Sequence, residues 1–288
     1  MRAPWYDARP RRRGRAPFTE RLGSTAKGRT MAFAGIDRSA YPGNAFMAGL
    51  MTHTNLLWTG FYLAPAPSHP EASWMERRAD LRAMGPGWGI APVYVGQQHP
   101  SGPGSHTLTA AQGKKDARDA AKLADKAGFT DVWEKTLPGA PRIYLDIEIG
   151  GNLPANFLAY VNAWCEVIRS NETAYLPAVY CSFKDTGAQL LAANPDLTVW
   201  AFNINQFLHH HDQALVAPDK FRVPEPTQSG FAQATAWQWI QGFASITTKL
   251  PDGSTKTVAN WDLDSSDAPD PSHPARQWDA DANTWVVT

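Results

Sequence analysis

Ile143-Tyr144-Leu145-Asp146-Ile147-Glu148-Ile149, followed by Gly150-Gly151, reads as a buried strand that carries two acids among apolar residues. Side chains on a strand alternate between its faces, so Tyr144, Asp146 and Glu148 share one face and Ile143, Leu145, Ile147 and Ile149 the other. Both carboxylates therefore converge on the strand's C-terminal end, where barrel and open α/β folds keep their chemistry. An acid pair in unlike surroundings suits glycoside hydrolysis, one acid donating a proton while the other stabilises charge. The plainer reading is that arginine or backbone donors satisfy both acids and the pair merely organises the strand end.

Outward from this strand, short apolar segments alternate with helical ones from Phe33 onward, the pattern of a parallel sheet with crossover helices. Strands are expected near Phe33-Asp37, Leu57-Leu63, Ile90-Gly96, Arg142-Ile149, Leu176-Cys181, Thr198-Asn203, Ala234-Ile240 and Val258-Leu263. Glu71-Met84, Thr109-Ala127, Ala155-Arg169 and Asp185-Ala193 have helical composition, and Gly128 supplies a stop for the second. After these, His209 to Gly230 reads as a long loop and Phe243 to Thr257 as a hairpin or excursion. Eight strands with fading helices predict a single irregular (β/α)8 TIM-like barrel whose late helices are replaced by loops. An open doubly wound sheet is the alternative, but Gly85-Pro86-Gly87-Trp88-Gly89 follows a helix and precedes a strand, so it is a turn and not a phosphate cradle.

At 288 residues, with 43% hydrophobic and 19% charged residues, the chain suits one large folded domain. Residues 1-30 read as a disordered basic leader, 31-267 as the barrel, and 268-288 as a loosely packed tail anchored by Trp278 and Trp285. Lys+Arg and Asp+Glu both total 27, which argues against a nucleic-acid partner or an anionic membrane surface. Some of the twelve tryptophans are expected to line a groove for an amphipathic ligand. Cys165 and Cys181 do not make a disulfide framework. No stretch approaches the roughly 18 apolar residues of a membrane span. Arg11-Arg12-Arg13 is followed by no apolar segment, so no export signal is complete; Met31 is an alternative start and the default address is cytoplasmic.

Further acids recur at strand ends: Asp37 closes the first strand, and Asp262 and Asp264 sit in Asn260-Trp261-Asp262-Leu263-Asp264. In a closed barrel the first and last strands are neighbours, which places Asp37 near Asp262. Crowded carboxylates cannot all ionise cheaply, so at least one is pushed toward protonation. Glu148, nearest the mouth, is the expected general acid, Asp146 the charge stabiliser or orienter, and Asp37 and Asp262 set the field and hold substrate or water. Tyr62, Tyr94, Tyr180, Trp200 and Trp237 lie in successive strands as candidate sugar-stacking residues, although barrel packing accounts for any one of them. Gln97, Asn203, Asn205 and Gln238 are candidate hydrogen-bonding partners for sugar hydroxyls by position alone. His209-His210-His211-Asp212 lacks the i, i+4 spacing of a helical zinc site, and no nucleophile elbow, His-Glu-x-x-His or P-loop occurs. Neither metal nor cofactor is expected.

Gly35-Ile36-Asp37, Ile143-Tyr144-Leu145-Asp146-Ile147-Glu148, Val179-Tyr180-Cys181, Ala236-Trp237-Gln238-Trp239 and Trp261-Asp262-Leu263-Asp264, in that order, resemble family 25 glycoside hydrolase lysozymes. They are more similar still to a bacterial glycoside hydrolase-like domain family that shares the lysozyme barrel. The resemblance spans about Phe33 to Asp267. It implies an irregular barrel and muramidase-type cleavage of peptidoglycan or a related polysaccharide, with Asp37, Asp146, Glu148 and Asp262 carried over as the acids; separately, a monomer is expected. The competing expectation is a noncatalytic carbohydrate-binding barrel that retains the acidic mouth.

Overall fold

The computed structural model describes residues 31–130, 139–204, 214–279, 281–282 and 284–287. Eight strands close into a barrel: β1 (Phe33–Asp37), β2 (Leu56–Leu63), β3 (Gly89–Tyr94), β4 (Arg142–Ile147), β5 (Leu176–Ser182), β6 (Thr198–Phe202), β9 (Ala234–Lys249) and β10 (Thr255–Ser266). Each expected strand is present. Two short strands, β7 (Leu215–Ala217) and β8 (Lys220–Phe221), form a separate hairpin between β6 and β9.

The barrel departs from the parallel pattern at its last member, across the hairpin expected over Phe243 to Thr257. β10 runs antiparallel to both β9 and β1, with Asp37 opposite Asp262 and Phe33 opposite Ser266. The cause is the connection: β9 continues past the barrel and turns directly into β10 near Leu250–Ser254, and so short a hairpin can only reverse the chain. Asp262 therefore reaches the mouth as β10 descends through it, not at a strand's C-terminal end.

Two apolar layers hold the barrel. Inward residues such as Trp58, Val93, Tyr144, Ala178 and Trp200 fill its interior. Outward residues, including Ile143, Leu145 and Ile147, pack under the helices α1 (Asn44–His53), α2 (Arg78–Ala83), α3 (Ala110–Lys126), α4 (Ala155–Ile168) and α5 (Lys184–Ala193). Thr109 caps α3 through Gln112 N at 3.1 Å, and Gly128, at φ +87°, closes its far end. No α-helix follows α5 among the described residues, in line with the fading helices of the sequence.

Two helix boundaries differ from expectation. α1 was not anticipated, because it follows Gly43 at φ +104° without a side-chain cap and lacks a strong apolar face. Conversely, only Arg78–Ala83 of the span Glu71-Met84 is helical. Glu71 instead accepts from Ser73 N and Ser73 Oγ, and buried Trp74 donates to Arg38 O, holding the preceding residues as turns.

The segment after β10 is not loosely packed. Asp270, Ser272, His273 and Arg276 are buried, and the backbone and side chains of residues 270–272 bond Ile90, Arg142 and Tyr144 at the floor of the barrel. Polar composition misled here because the acid is neutralised internally: Asp270 pairs with Arg82 at 2.7 Å and Arg276 at 2.8 Å. Trp278 and Trp285, the expected anchors, pack edge to face in a terminal hairpin, β11 (Arg276–Asp279) and β12 (Thr284–Val287). Cys165 and Cys181 are free and buried. No helix among the described residues is long and apolar enough to cross a membrane.

Candidate active site

The alternation in β4 is as the sequence predicts: Tyr144 lies in the barrel interior, and Asp146 and Glu148 line a pocket at the mouth. The same pocket is lined by Asp37, Tyr62, Tyr180, Trp200, Gln238 and Asp262, which come from β1, β2, β5, β6, β9 and β10. Eight residues singled out from the sequence thus converge on one space of about 50 Å3. Gly60 on β2 makes room for the first acid, since a Cβ there would lie 2.7 Å from the Asp37 Cβ. Asp262 sits where the β9–β10 register shifts, and a bulge at such a place re-aims a side chain. Its Oδ1 accepts from Gly242 N at 2.7 Å.

The carboxylates differ sharply in surroundings. Asp37 and Asp146 are buried, whereas the Glu148 side chain is 46% exposed. Burial, and then the charge of Glu148, push Asp146 up to about 8, while the Gln98 Nε2 hydrogen bond at 2.8 Å pulls the other way. Asp146 Oδ1 is buried and makes no hydrogen bond among the described residues. Burial, and then the charges of Asp262 and Asp146, raise Asp37 well above the usual carboxylate range. Tyr62 opposes this from 3.4 Å. Burial also raises Asp262, which shares a side-chain hydrogen bond with Asp37. Such a bond between two carboxyls needs a proton on one of them.

Three neighbours were not selected from the sequence. Gln98 and His99 follow β3 and reach Asp146 and Glu148, the His99 Nε2 to Glu148 Oε2 distance being 3.6 Å. Asp264 lies one pleat below Asp262 and is 1% exposed. Burial, and then the charges of Asp37 and Asp262, hold its carboxyl well above the usual range, with the Trp200 indole opposing the rise. Its signal was the i, i+2 spacing Asp262-Leu263-Asp264, the same spacing that identified the pair on β4.

Other candidates lie elsewhere. Tyr94 and Trp237 face outward: Tyr94 donates to Asp119 on α3 at 3.1 Å, and Trp237 Nε1 donates to Asn203 O at 2.9 Å. Alternation places each on the face opposite its pocket-lining neighbour, Val93 or Gln238. Gln97 bonds buried Asp116, and Asn203 bonds Ser229 O, so both serve the scaffold. Of the described tryptophans, eight are fully buried and only Trp200 among them lines the pocket. Asn205 and the His209-His210-His211-Asp212 run fall outside the described residues. Among the described residues no group of three His, Cys, Asp or Glu side chains is arranged to hold a metal ion.

With this geometry in view, similarity to known proteins is informative. The sequence matches the family described as Rv2525c-like, glycoside hydrolase-like domain, over residues 58–282. No curated protein sequence matches the chain. The fold is similar to an uncharacterized B. stearothermophilus protein, with a TM-score of 0.51 at 18% identity, covering 81% of this chain and 94% of that one. It is also similar to the Clostridium perfringens spore cortex lytic enzyme SleM, with a TM-score of 0.52 at 13% identity, covering 84% and 69%. A family GH25 lysozyme from Aspergillus fumigatus aligns with a TM-score of 0.45 at 12% identity, covering 82% and 94%. On the strength of the family match across most of its length, the chain belongs to the Rv2525c-like family of glycoside hydrolase-like domains.

Proposed function

We propose that the protein is a glycosidase that hydrolyses a cell-wall polysaccharide or related glycan at the barrel mouth. The observation that carries this reading is the pairing of a half-exposed Glu148 with a buried Asp146 whose carboxyl is pushed up to about 8. Glu148 has access to a leaving oxygen and acts as general acid. Asp146, which holds its proton below about pH 8, orients the group attacking the anomeric carbon through its unoccupied Oδ1, and the negative charge left on the Asp37–Asp262 pair balances the positive charge that develops there. Asp37 and Asp262 share a proton and set the field beneath the reacting centre. SleM, named as a spore cortex lytic enzyme, supports a glycan as the substrate class.

The size of the pocket limits what enters it. A water needs roughly 10–15 Å3 of such space, so about 50 Å3 admits a few waters or a sugar substituent. The sugar ring itself lies across the mouth. This narrowness also favours a second reading, a noncatalytic barrel that binds glycan at its rim. Reducing-end release from peptidoglycan and from α- and β-linked glucans, by wild type and Glu148→Gln together, separates the two. Release by wild type alone supports hydrolysis, and silence from both, with saturable glycan binding, supports the binding barrel.

A further inference from the structure

One residue joins β5 to α5, and it is held in a conformation its side chain disfavours. Phe183 has φ +70° and ψ +141°, close to backbone space that is essentially glycine's. It is also the one exposed aromatic among the described residues, at 55% exposure, at the strand end that opens on the mouth. Its ring lies against Gly150, where a Cβ would fall 2.1 Å from Phe183 Cε2. Gly150 is two residues beyond Glu148, and the same segment is tied to α5 by Thr186 Oγ1 donating to Gly151 O at 2.5 Å. Burial does not explain the residue, because it is more than half exposed. Nor does backbone preference, since glycine would sit there without strain.

Resting on the glycan reading above, we propose that Phe183 is a substrate-binding platform that stacks a pyranose unit of the glycan beside Glu148. An aromatic face suits the apolar C–H face of a sugar ring, and Gly150, having no side chain, makes room for the Cδ2–Cε2 edge of the Phe183 ring. In this strained backbone conformation the ring reaches Gly150, on the segment that carries Glu148.

The test uses the full chain carrying Glu148→Gln, to prevent turnover, with solubilised peptidoglycan glycan strands as the probe. Phe183→Gly and Phe183→Ala each remove the ring, and each weakens binding about 5- to 10-fold. Phe183→Trp retains it. Melting temperature gives an independent readout: Phe183→Gly melts above Phe183→Ala, because only glycine relaxes at this φ. Binding that is unchanged by ring removal, or that follows melting temperature across the variants, overturns the platform while leaving the glycan reading intact. If the Glu148→Gln parent itself binds no glycan strand, the glycan reading fails and the platform fails with it.

Discussion

Buried aspartates occupy both ends of this barrel, and they are treated in opposite ways. At the floor, burial alone would raise Asp270, but Arg82 and Arg276 hold its carboxyl well below the usual range. At the mouth, Asp37, Asp146 and Asp264 are just as deeply placed, yet no arginine among the described residues pairs with them, and burial and neighbouring carboxylates raise all three. A paired acid locks the terminal segment against β3. Unpaired acids hold protons, at a cost in stability that a purely structural site has no reason to carry.

The largest expected effect lies at the floor. Asp270→Asn leaves two buried guanidinium groups without their anion and destabilises the fold by about 3–5 kcal/mol, measurable by urea unfolding. A small change there would mean that the two ends differ less than their charges suggest. At the mouth, Glu148→Gln lowers turnover about 100-fold or more, the usual contribution of a general acid, with melting temperature nearly unchanged.

The pH dependence of stability has opposite signs at the two ends. Asp146 titrates at about 8 in the folded chain, against about 3.9 for an unfolded aspartate. Its contribution is thus complete below the unfolded value and is lost as pH rises toward 8. Asp270 is depressed, so its contribution is present above the unfolded value and lost as pH falls toward its folded value. Thermal melts should show Asp146→Asn gaining on wild type between pH 4 and pH 8. If the gap between the two stays flat over that window, Asp146 is not a proton-holding group.

The smallest effect tests orientation. Tyr94→Phe removes the hydrogen bond to Asp119 and costs about 1 kcal/mol of stability, with glycan turnover unaffected. Tyr62→Phe removes the hydroxyl facing Asp37 and should alter the pH profile of turnover. Equal effects of the two on that profile would contradict the inward and outward assignment.

Local pattern was enough to read much of this molecule. Strand alternation put Asp146 and Glu148 on one face, and the neighbour relation of first and last barrel strands put Asp37 beside Asp262. Where a residue was placed by strand position without its phase, the reading held for Tyr62, Tyr180, Trp200 and Gln238 and not for two others. Tyr94 and Trp237 have the right residue type near the right strand ends, but a one-residue offset turns each to the outside of the barrel. The terminal segment failed for another reason, since Asp270 looks solvated in sequence and is neutralised by Arg82, 188 residues away.

The amino-acid order alone thus established the eight strands, the barrel and the acids on its seam, because alternation and apolar runs are local properties of the chain. The three-dimensional packing set the direction of β10, the depth and partners of each carboxyl, and the strained aromatic beside Glu148. Those depend on which distant groups share a low-dielectric interior, and desolvation and charge pairing there arise only once the barrel has closed.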